Sequence, residues 1–207
     1  MKIVFATSNP GKIREAAEIL GEGFELVTPA ELGITEEIPE TGNTLRANSM
    51  QKADYIYKKT GLNCFADDSG LEVDILGGAP GVETARYAGP DKNPDANIEK
   101  LMSEIARREK EAAMARTNGL ATPKANRNAR FRTSVTLILN GRRHFFDGVM
   151  EGTIALKRAG KGGFGYDPIF IPEGYDKTNA ELGESVKNAI SHRGKALRAM
   201  AEYLKKK

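Results

Sequence analysis

The chain has 207 residues, 40% of them hydrophobic and 29% charged. It is therefore long enough to bury a core without stabilisation by disulfides or structural metal ions. The net charge of +3 is too small to indicate a nucleic-acid partner by itself. One cysteine, Cys64, excludes an internal disulfide framework and is typical of a cytoplasmic protein. We see no signal peptide, and no apolar run approaches the ~20 residues of a membrane-spanning helix.

The first predicted elements are a buried strand over residues 2–6 and a helix with apolar residues at helical spacing from Ile13 to Leu20. A polar loop joins them, with the residues Thr7, Ser8, Asn9, Pro10, Gly11 and Lys12. Its hydroxyls, backbone N–H groups and lysine, next to a helix N-terminus, suit a phosphate group. The spacing of a Walker A loop is absent, and the alternative is a capped turn whose lysine points into water.

A second short strand is predicted over residues 24–28, and a helix from Leu45 to about Lys59. Asn48 and Lys52 lie one turn apart on a single face of that helix. The loop before the helix is rich in acidic residues and includes Glu40.

Two adjacent carboxylates, Asp67 and Asp68, follow an apolar run that begins at Leu62. Ser69-Gly70 and a second strand-like run, residues 71–76, come next. Neighbouring buried carboxylates are costly unless a positive group lies on them, and carboxylate oxygens suit Mg²⁺. The alternative is a strand-to-turn corner in which one aspartate forms an Asx turn.

The middle of the chain contains an irregular Gly-Pro segment, residues 77–81, and a long charged helix from Asn93 to about Ala115. Residues 117–129 are predicted to form an exposed loop. Basic residues crowd the stretch 107–132, and a solvated charged face is the expected explanation.

A hairpin is predicted about Asn140-Gly141, with strands over 131–139 and 143–151. A further strand through Ile154 and Leu156 is expected to follow.

A glycine-rich segment then surrounds two aromatic residues and an acid: Phe164, Gly165, Tyr166 and Asp167. An aromatic ring beside a carboxylate suits a heterocyclic base, because the ring stacks and the carboxylate accepts a base N–H. A glycine-rich turn whose aromatics fill the core is an equal alternative.

The last predicted helix has Ser191 as its N-cap and His192 and Arg193 in its first turn. The helix dipole disfavours cations there, which indicates an anionic or carbonyl-rich ligand.

Taken together, these motifs resemble the Ham1/RdgB-type inosine triphosphate pyrophosphatases, and they occur in the family's order across nearly the whole chain. The matching stretches are Thr7 to Lys12, Glu40-Thr41-Gly42 with Asn48 and Lys52, Ala66 to Leu71, Gly77 to Gly81 through Ala85-Arg86-Tyr87, Gly162 to Pro168, and Lys187 through Arg193.

The resemblance implies an α/β fold with a long twisted mixed sheet flanked by helices, in two lobes around a cleft. It implies a single nucleotide pyrophosphatase domain over residues 1–207, usually a homodimer, with no stable nucleic-acid partner. The implied reaction is the Mg²⁺-dependent hydrolysis of ITP, dITP and XTP to the monophosphate and pyrophosphate.

The resemblance also assigns roles to residues. Asp68 matches the catalytic acid/base and a metal ligand, Glu40 a second ligand, and Asp67 lies beside them as a third candidate. The substrate-binding positions are Thr7, Ser8, Asn9, Pro10, Gly11, Lys12 and Lys52 for the triphosphate, Ser69, then Phe164, Gly165, Tyr166 and Asp167 for the base, and Lys187, His192 and Arg193 for its oxygen-bearing edge.

The proposed chemistry is attack of water on the α-phosphorus, and either Asp68 or Asp67 as the proton acceptor is compatible with the sequence. One departure from the family is Ala47, where many relatives carry glutamate. Three alternative functions are a phosphotransferase, an enzyme for modified pyrimidine or methylated nucleotides, and a nucleic-acid-binding module using residues 107–132.

Overall fold

The computed structural model describes residues 1–118 and 126–206, which form two compact units. Unit 1 comprises Met1–Ser69, Arg132–Val149 and the C-terminal segment from Asn188. Unit 2 comprises the described residues of Gly70–Phe131 and Met150–Lys187.

The helices and strands confirm the predicted α/β class. The strands are β1 (Lys2–Phe5), β2 (Glu25–Val27), β3 (Cys64–Val73), β4 (Pro80–Gly81), β5 (Asn128–Leu139), β6 (Arg142–Ile154) and β7 (Phe170–Pro172). The helices are α1 (Pro10–Leu20), α2 (Leu45–Thr60), α3 (Pro94–Thr117), α4 (Asn179–Leu182), α5 (Glu184–Ile190) and α6 (His192–Lys205).

Within the described residues the strands form one sheet in the order β2-β1-β3-β5-β6-β7, with β4 paired to β3. The β1 strand is parallel to both β2 and β3, whereas β4 is antiparallel to β3 and β7 to β6. The sheet is therefore mixed, as the sequence predicted.

Unit 1 has helices on both faces of its strands because successive strand residues point to opposite sides. Ile3 and Phe5 pack with residues of α1 and α6, and this side is called the α1/α6 face. Val4 packs with Ala53 and Ile56 of α2, and this side is called the α2 face.

Most predicted elements are confirmed, and their caps explain where the helices begin. The side chains of Asn9, Thr44 and Ser191 accept hydrogen bonds from backbone N–H groups in the first turns of α1, α2 and α6. In the predicted hairpin, Asn140 and Gly141 both have positive φ, at 49° and 77°, as a two-residue type I′ connection requires.

The predicted break after Asp68 is wrong. Residues 64–73 form one continuous strand, and Leu71 and Val73 continue the burial pattern beyond Ser69-Gly70. The predicted separate strand through Ile154 and Leu156 is also wrong, because Ile154 is the last residue of β6 and Leu156 is 80% exposed.

The predicted loop over 117–129 is shorter than expected where the structure describes it, since α3 extends to Thr117 and β5 begins at Asn128. Residues 119–125 of that prediction lie outside the described residues. No helix in the described ranges is both long and apolar enough to cross a bilayer.

The thiol of Cys64 is expected to be unreactive in the folded protein. It is fully buried in β3, where it donates to the carbonyl oxygen of Ala53 at 3.3 Å, and burial raises its pKa to about 12. Since the thiolate is the reactive form, labelling with a disulfide reagent at pH 8 should be negligible in native protein and complete in denaturant. Rapid stoichiometric labelling of native protein would contradict this prediction.

Candidate active site

The two adjacent aspartates of β3 point to opposite faces of the sheet. Asp67 follows Phe65 on the α1/α6 face, and Asp68 follows Ala66 on the α2 face. Because β3 is continuous here, its alternation gives each carboxylate a different set of neighbours.

Asp67 is fully buried and lies at the centre of an ion-pair network. Its Oδ1 accepts from Lys12 Nζ of α1 at 3.0 Å, and its Oδ2 from Arg193 Nε of α6 at 3.0 Å. Ser69 Oγ donates to Oδ2 at 3.3 Å. The Arg193 guanidinium also donates to Glu15 of α1 through Nη1 and to Ser69 Oγ through Nη2 at 3.2 Å.

This network keeps Asp67 ionised. Burial by itself would raise the pKa of Asp67, but Lys12 and Arg193 outweigh it and hold that pKa below its ordinary range. Burial would lower the pKa of Arg193, and Asp67 and Glu15 reverse that effect. Burial lowers the pKa of Lys12, against the attraction of Asp67.

Asp68 has a different environment on the α2 face. Asn48 Nδ2 donates to its Oδ2 at 3.0 Å, Ser69 N donates to its Oδ1 at 3.0 Å, and Lys52 Nζ lies 3.9 Å from Oδ1. Burial raises the pKa of Asp68 although Lys52 opposes this, so the neighbouring carboxylates have pKa shifts of opposite sign.

Lys52 connects Asp68 to Glu40. Its ammonium group forms an ion pair with Glu40 Oε1, and these carboxylates, led by Asp68, raise the pKa of Lys52 against the effect of its burial. The Glu40 loop is held to α2 because Gly42 N donates to Asn48 Oδ1 at 2.7 Å. A Cβ at Gly42 would lie only 2.7 Å from the Cβ of Ala47, so this close approach requires glycine.

The predicted phosphate loop is a capped turn. Asn9 Oδ1 accepts from the backbone N–H groups of Gly11 at 2.9 Å and Lys12 at 3.2 Å, and Thr7 Oγ1 accepts from Asn9 N at 3.2 Å. Ser8 and Pro10 are exposed. Lys12 does not point into water, as the alternative expected, but contacts Asp67.

The predicted base-binding segment lies in unit 2, where Asp167 is buried and its two oxygens are bonded within the chain. Oδ1 accepts from Asn179 Nδ2 at 3.1 Å, and Oδ2 accepts from Lys187 Nζ at 2.7 Å and from the backbone N of Phe164 at 2.9 Å. The Lys187 ammonium lies 4.6 Å from the centre of the Phe164 ring. A Cβ at Gly163 would lie 2.1 Å from Asp167 Oδ2, so glycine is needed for this turn.

As predicted, the first turn of α6 contains His192 and Arg193, and the structure shows that both are buried. The anions that Arg193 contacts are the carboxylates of Asp67 and Glu15. The helix dipole penalty for a cation at this position is therefore offset inside the protein.

Sequence reasoning missed Glu15, Thr133 and Asn179. Glu15 follows Lys12 by three residues on α1, a spacing that places both on one helix face and was the available signal. Thr133 Oγ1 lies 2.5 Å from Ser69 Oγ, and Asn179 contacts Asp167, but neither position carries a signal in the sequence.

The described ranges contain no group of three or more His, Cys, Asp or Glu side chains arranged to hold a metal ion. Two carboxylates, those of Glu40 and Asp68, do lie near each other, because both are within ion-pair distance of Lys52 Nζ. Mg²⁺ is commonly held by one or two carboxylates together with substrate phosphates and water, so this pair fits the ion. Asp67 fits it less well, because each of its oxygens accepts from a cation, Lys12 or Arg193, whereas the oxygens of Asp68 accept from uncharged groups.

An α/β protein with paired carboxylates, buried lysines and a polar loop at a helix N-terminus has the site of an enzyme that acts on phosphate esters or anhydrides. The chain belongs to the Ham1 family, whose model matches residues 3–203.

Individual relatives support this assignment, because their similarity to the chain extends over nearly the whole length of both proteins. The dITP/XTP pyrophosphatase of Christiangramia forsetii is 45% identical over 206 residues, which cover both chains completely. The dITP/XTP pyrophosphatase of Porphyromonas gingivalis is 46% identical over 203 residues, 98% of this chain and 97% of that one. A solved structure of a HAM1 protein from Coxiella burnetii superposes with a TM-score of 0.86 at 35% identity and covers both chains completely.

Proposed function

We propose that this chain hydrolyses ITP, dITP and XTP to the monophosphate and pyrophosphate. The observation that carries the proposal is the pair of adjacent aspartates on opposite faces of β3, with Asp67 bonded to Lys12 and Arg193 and Asp68 next to Lys52 and Glu40. Such separated environments assign different roles to two carboxylates. The names of the relatives, dITP/XTP pyrophosphatase, supply the substrate class.

In this proposal Asp68 is the proton acceptor. A base must be able to take up a proton near the working pH, and the raised pKa of Asp68 favours that role. Asp67 stays ionised and acts as the counter-ion that holds Lys12 and Arg193 in place. The water attacks the α-phosphorus, so that pyrophosphate leaves as one unit.

Lys12 and Lys52 are proposed to bind the triphosphate, together with Ser8, Asn9 and Gly11. Each lysine is paired with a carboxylate, so a phosphate oxygen competes with Asp67 for Lys12 and with Glu40 for Lys52. Glu40 and Asp68 would hold Mg²⁺. When bound, the ion would neutralise part of the negative charge of the phosphates.

Selectivity is proposed to come from hydrogen-bond donors facing the 6-oxo group of the base, with Phe164 stacking on the ring. Lys187, His192 and Arg193 are the proposed donors. The 6-amino group of adenine would meet a donor there, an unpaired contact that costs about 1–3 kcal/mol. Since Asp167 already accepts three hydrogen bonds within unit 2, we assign it to holding Lys187 and Phe164 in place.

Several arginines of the 107–132 stretch pair with acidic side chains, which favours the enzyme over a nucleic-acid-binding module. Arg107 and Arg108 pair with Glu111, and Arg127 forms two bonds with Glu109. Arg130 contacts Glu72, Asp74 and Glu151. Lys124 lies outside the described residues. Cations neutralised in this way contribute little to binding a phosphate backbone.

We further propose a single catalytic domain over residues 1–207 that works as a homodimer in the cytoplasm. The match of the family model to residues 3–203 supports the single domain, and the lone cysteine supports the compartment. The dimer rests on the family resemblance alone, and light scattering of the purified protein tests it.

The test of the proposed function is release of phosphate products from ITP, XTP, GTP and ATP, each with Mg²⁺ and with a chelator. We expect pyrophosphate from ITP and XTP, and none without a divalent ion. Far less is expected from ATP because of its 6-amino group. Far less is also expected from GTP, which shares the 6-oxo group and must be rejected through its 2-amino group. Orthophosphate in place of pyrophosphate would contradict attack at the α-phosphorus. Absence of turnover with every nucleotide would overturn the proposal.

A further inference from the structure

The segment after β4 resembles the family in sequence, yet the proposed function assigns it no role. Thr84 begins a short 3₁₀ turn there, Thr84–Arg86. Its hydroxyl and its carbonyl make three hydrogen bonds, all within unit 2. The partners are Gly81, three residues away, Leu71, 13 residues away, and Tyr166, 82 residues away.

The hydroxyl of Thr84 is built into the pairing of β3 with β4. It accepts from the backbone N of Leu71 at 2.8 Å and donates to the carbonyl of Gly81 at 2.6 Å, and these two residues are partners in the strand register. Leu71 is fully buried, so its N–H needs an acceptor. The hydroxyl therefore fixes Thr84 relative to β3, three residues beyond Asp68.

The carbonyl of Thr84 holds the base-binding segment. Tyr166 OH donates to it at 3.0 Å across 82 residues of sequence. Tyr166 is only 3% exposed, while Phe164 and Gly165 are half-buried, so Tyr166 anchors the segment and its neighbours face outward. Burial raises the pKa of Tyr166, which keeps its hydroxyl protonated as a donor.

We propose that Thr84 is a positioning residue for base recognition, which fixes Tyr166 and thereby the ring of Phe164 against the base. This inference rests on the proposed function, because it uses residues 164–167 as the base-binding segment. Within the described residues, Thr84 forms hydrogen bonds with Leu71, Gly81 and Tyr166, which are not assigned to the phosphate chemistry. Loss of the Thr84 hydroxyl should therefore weaken binding of the base more than it lowers the rate at which bound substrate is hydrolysed.

The experiment compares wild type with Thr84→Val, Thr84→Ser and Tyr166→Phe. Thr84→Val removes the hydroxyl at similar size, Thr84→Ser retains it, and Tyr166→Phe deletes only the donor to the Thr84 carbonyl. Thr153→Val is the matched control in unit 2, because it also removes a threonine hydroxyl that donates to a backbone carbonyl, that of Arg127 at 3.1 Å. The measurements are KM and kcat for ITP, the affinity for IMP by calorimetry, and thermal melting to verify folding.

Tyr166→Phe removes one hydrogen bond and Thr84→Val removes two. We expect each variant to raise KM for ITP and weaken IMP binding by at least about threefold. In Thr84→Val, kcat should stay within about twofold of wild type. Thr84→Ser and Thr153→Val should match wild type in both KM and IMP affinity. If Thr84→Val does not fold, Tyr166→Phe carries the same test.

Unchanged KM and IMP affinity in Thr84→Val and Tyr166→Phe would overturn the inference, as would an equal rise in Thr153→Val. If wild type does not turn over ITP, the proposed function fails, and IMP binding still decides the role of Thr84. A wild-type protein that binds no IMP overturns both.

Discussion

Asparagine in place of Asp67 is expected to lower the free energy of unfolding by about 3–5 kcal/mol, the effect of breaking a buried ion pair. The substitution keeps the size of the side chain and removes the charge that Lys12 and Arg193 share. Both cations are largely buried, at 15% and 2% side-chain exposure, so water cannot replace the lost carboxylate. Denaturant unfolding at pH 7 measures the difference.

The matched control is Asp147→Asn, also in unit 1. Asp147 pairs with Arg46 at 2.5 Å, but both side chains are more than half exposed, and such pairs contribute about 0–1 kcal/mol. Equal losses in the two variants would contradict the assignment of Asp67 as a buried counter-ion.

The pH dependence of stability provides a second readout for Asp67. Its pKa is lowered in the folded protein, so its contribution is fully present above the unfolded value of about 3.9 and is lost as the pH falls. The difference in the free energy of unfolding between wild type and Asp67→Asn should be constant near neutral pH. Below pH 4 this difference should narrow by about 1.4 kcal/mol per pH unit. If this difference widens on acidification, the pKa of Asp67 is not lowered in the folded protein.

Local signals in the sequence predicted most of the fold. Apolar residues at helical spacing predicted α1, α2, α3 and α6, and the capping side chain of Ser191 predicted where α6 begins. Asn140-Gly141 predicted the hairpin because few other pairs adopt positive φ at both positions. Helices α4 and α5 were missed, since 4 and 7 residues are too few for a periodic pattern.

The arrangement of the site was less predictable because long-range partners decide it. Asp-Asp-Ser-Gly has the composition of a turn, and only Lys12 and Arg193, the latter 126 residues away, make a buried carboxylate acceptable inside β3. The sequence identified both aspartates as site residues. It did not indicate that they face opposite sides of the sheet, because that inference requires a continuous strand.

Asparagine in place of Asp68 is expected to reduce the rate of pyrophosphate release from ITP by about 10²–10⁴-fold, the usual contribution of a general base. Stability should change less than in Asp67→Asn, because Lys52 keeps its ion pair with Glu40. The amide oxygen can accept from only one of Asn48 and Ser69, so the other donor is left unpaired at a cost of about 1–3 kcal/mol. Because burial raises the pKa of Asp68, its ionised form is disfavoured in the folded protein, and a neutral amide offsets part of that cost.

The two neighbouring substitutions therefore separate structure from chemistry, since Asp68→Asn chiefly loses activity and Asp67→Asn chiefly loses stability. Activity is compared at a temperature at which both variants and Asp147→Asn are folded, and Asp147→Asn should keep the wild-type rate. If Asp68→Asn stays within tenfold of wild type while folded Asp67→Asn is inactive, the proton acceptor is Asp67 and the assignment made here is reversed. Because the two carboxylates lie on opposite faces of β3, that result would also place the attacking water on the α1/α6 face, next to Lys12 and Arg193.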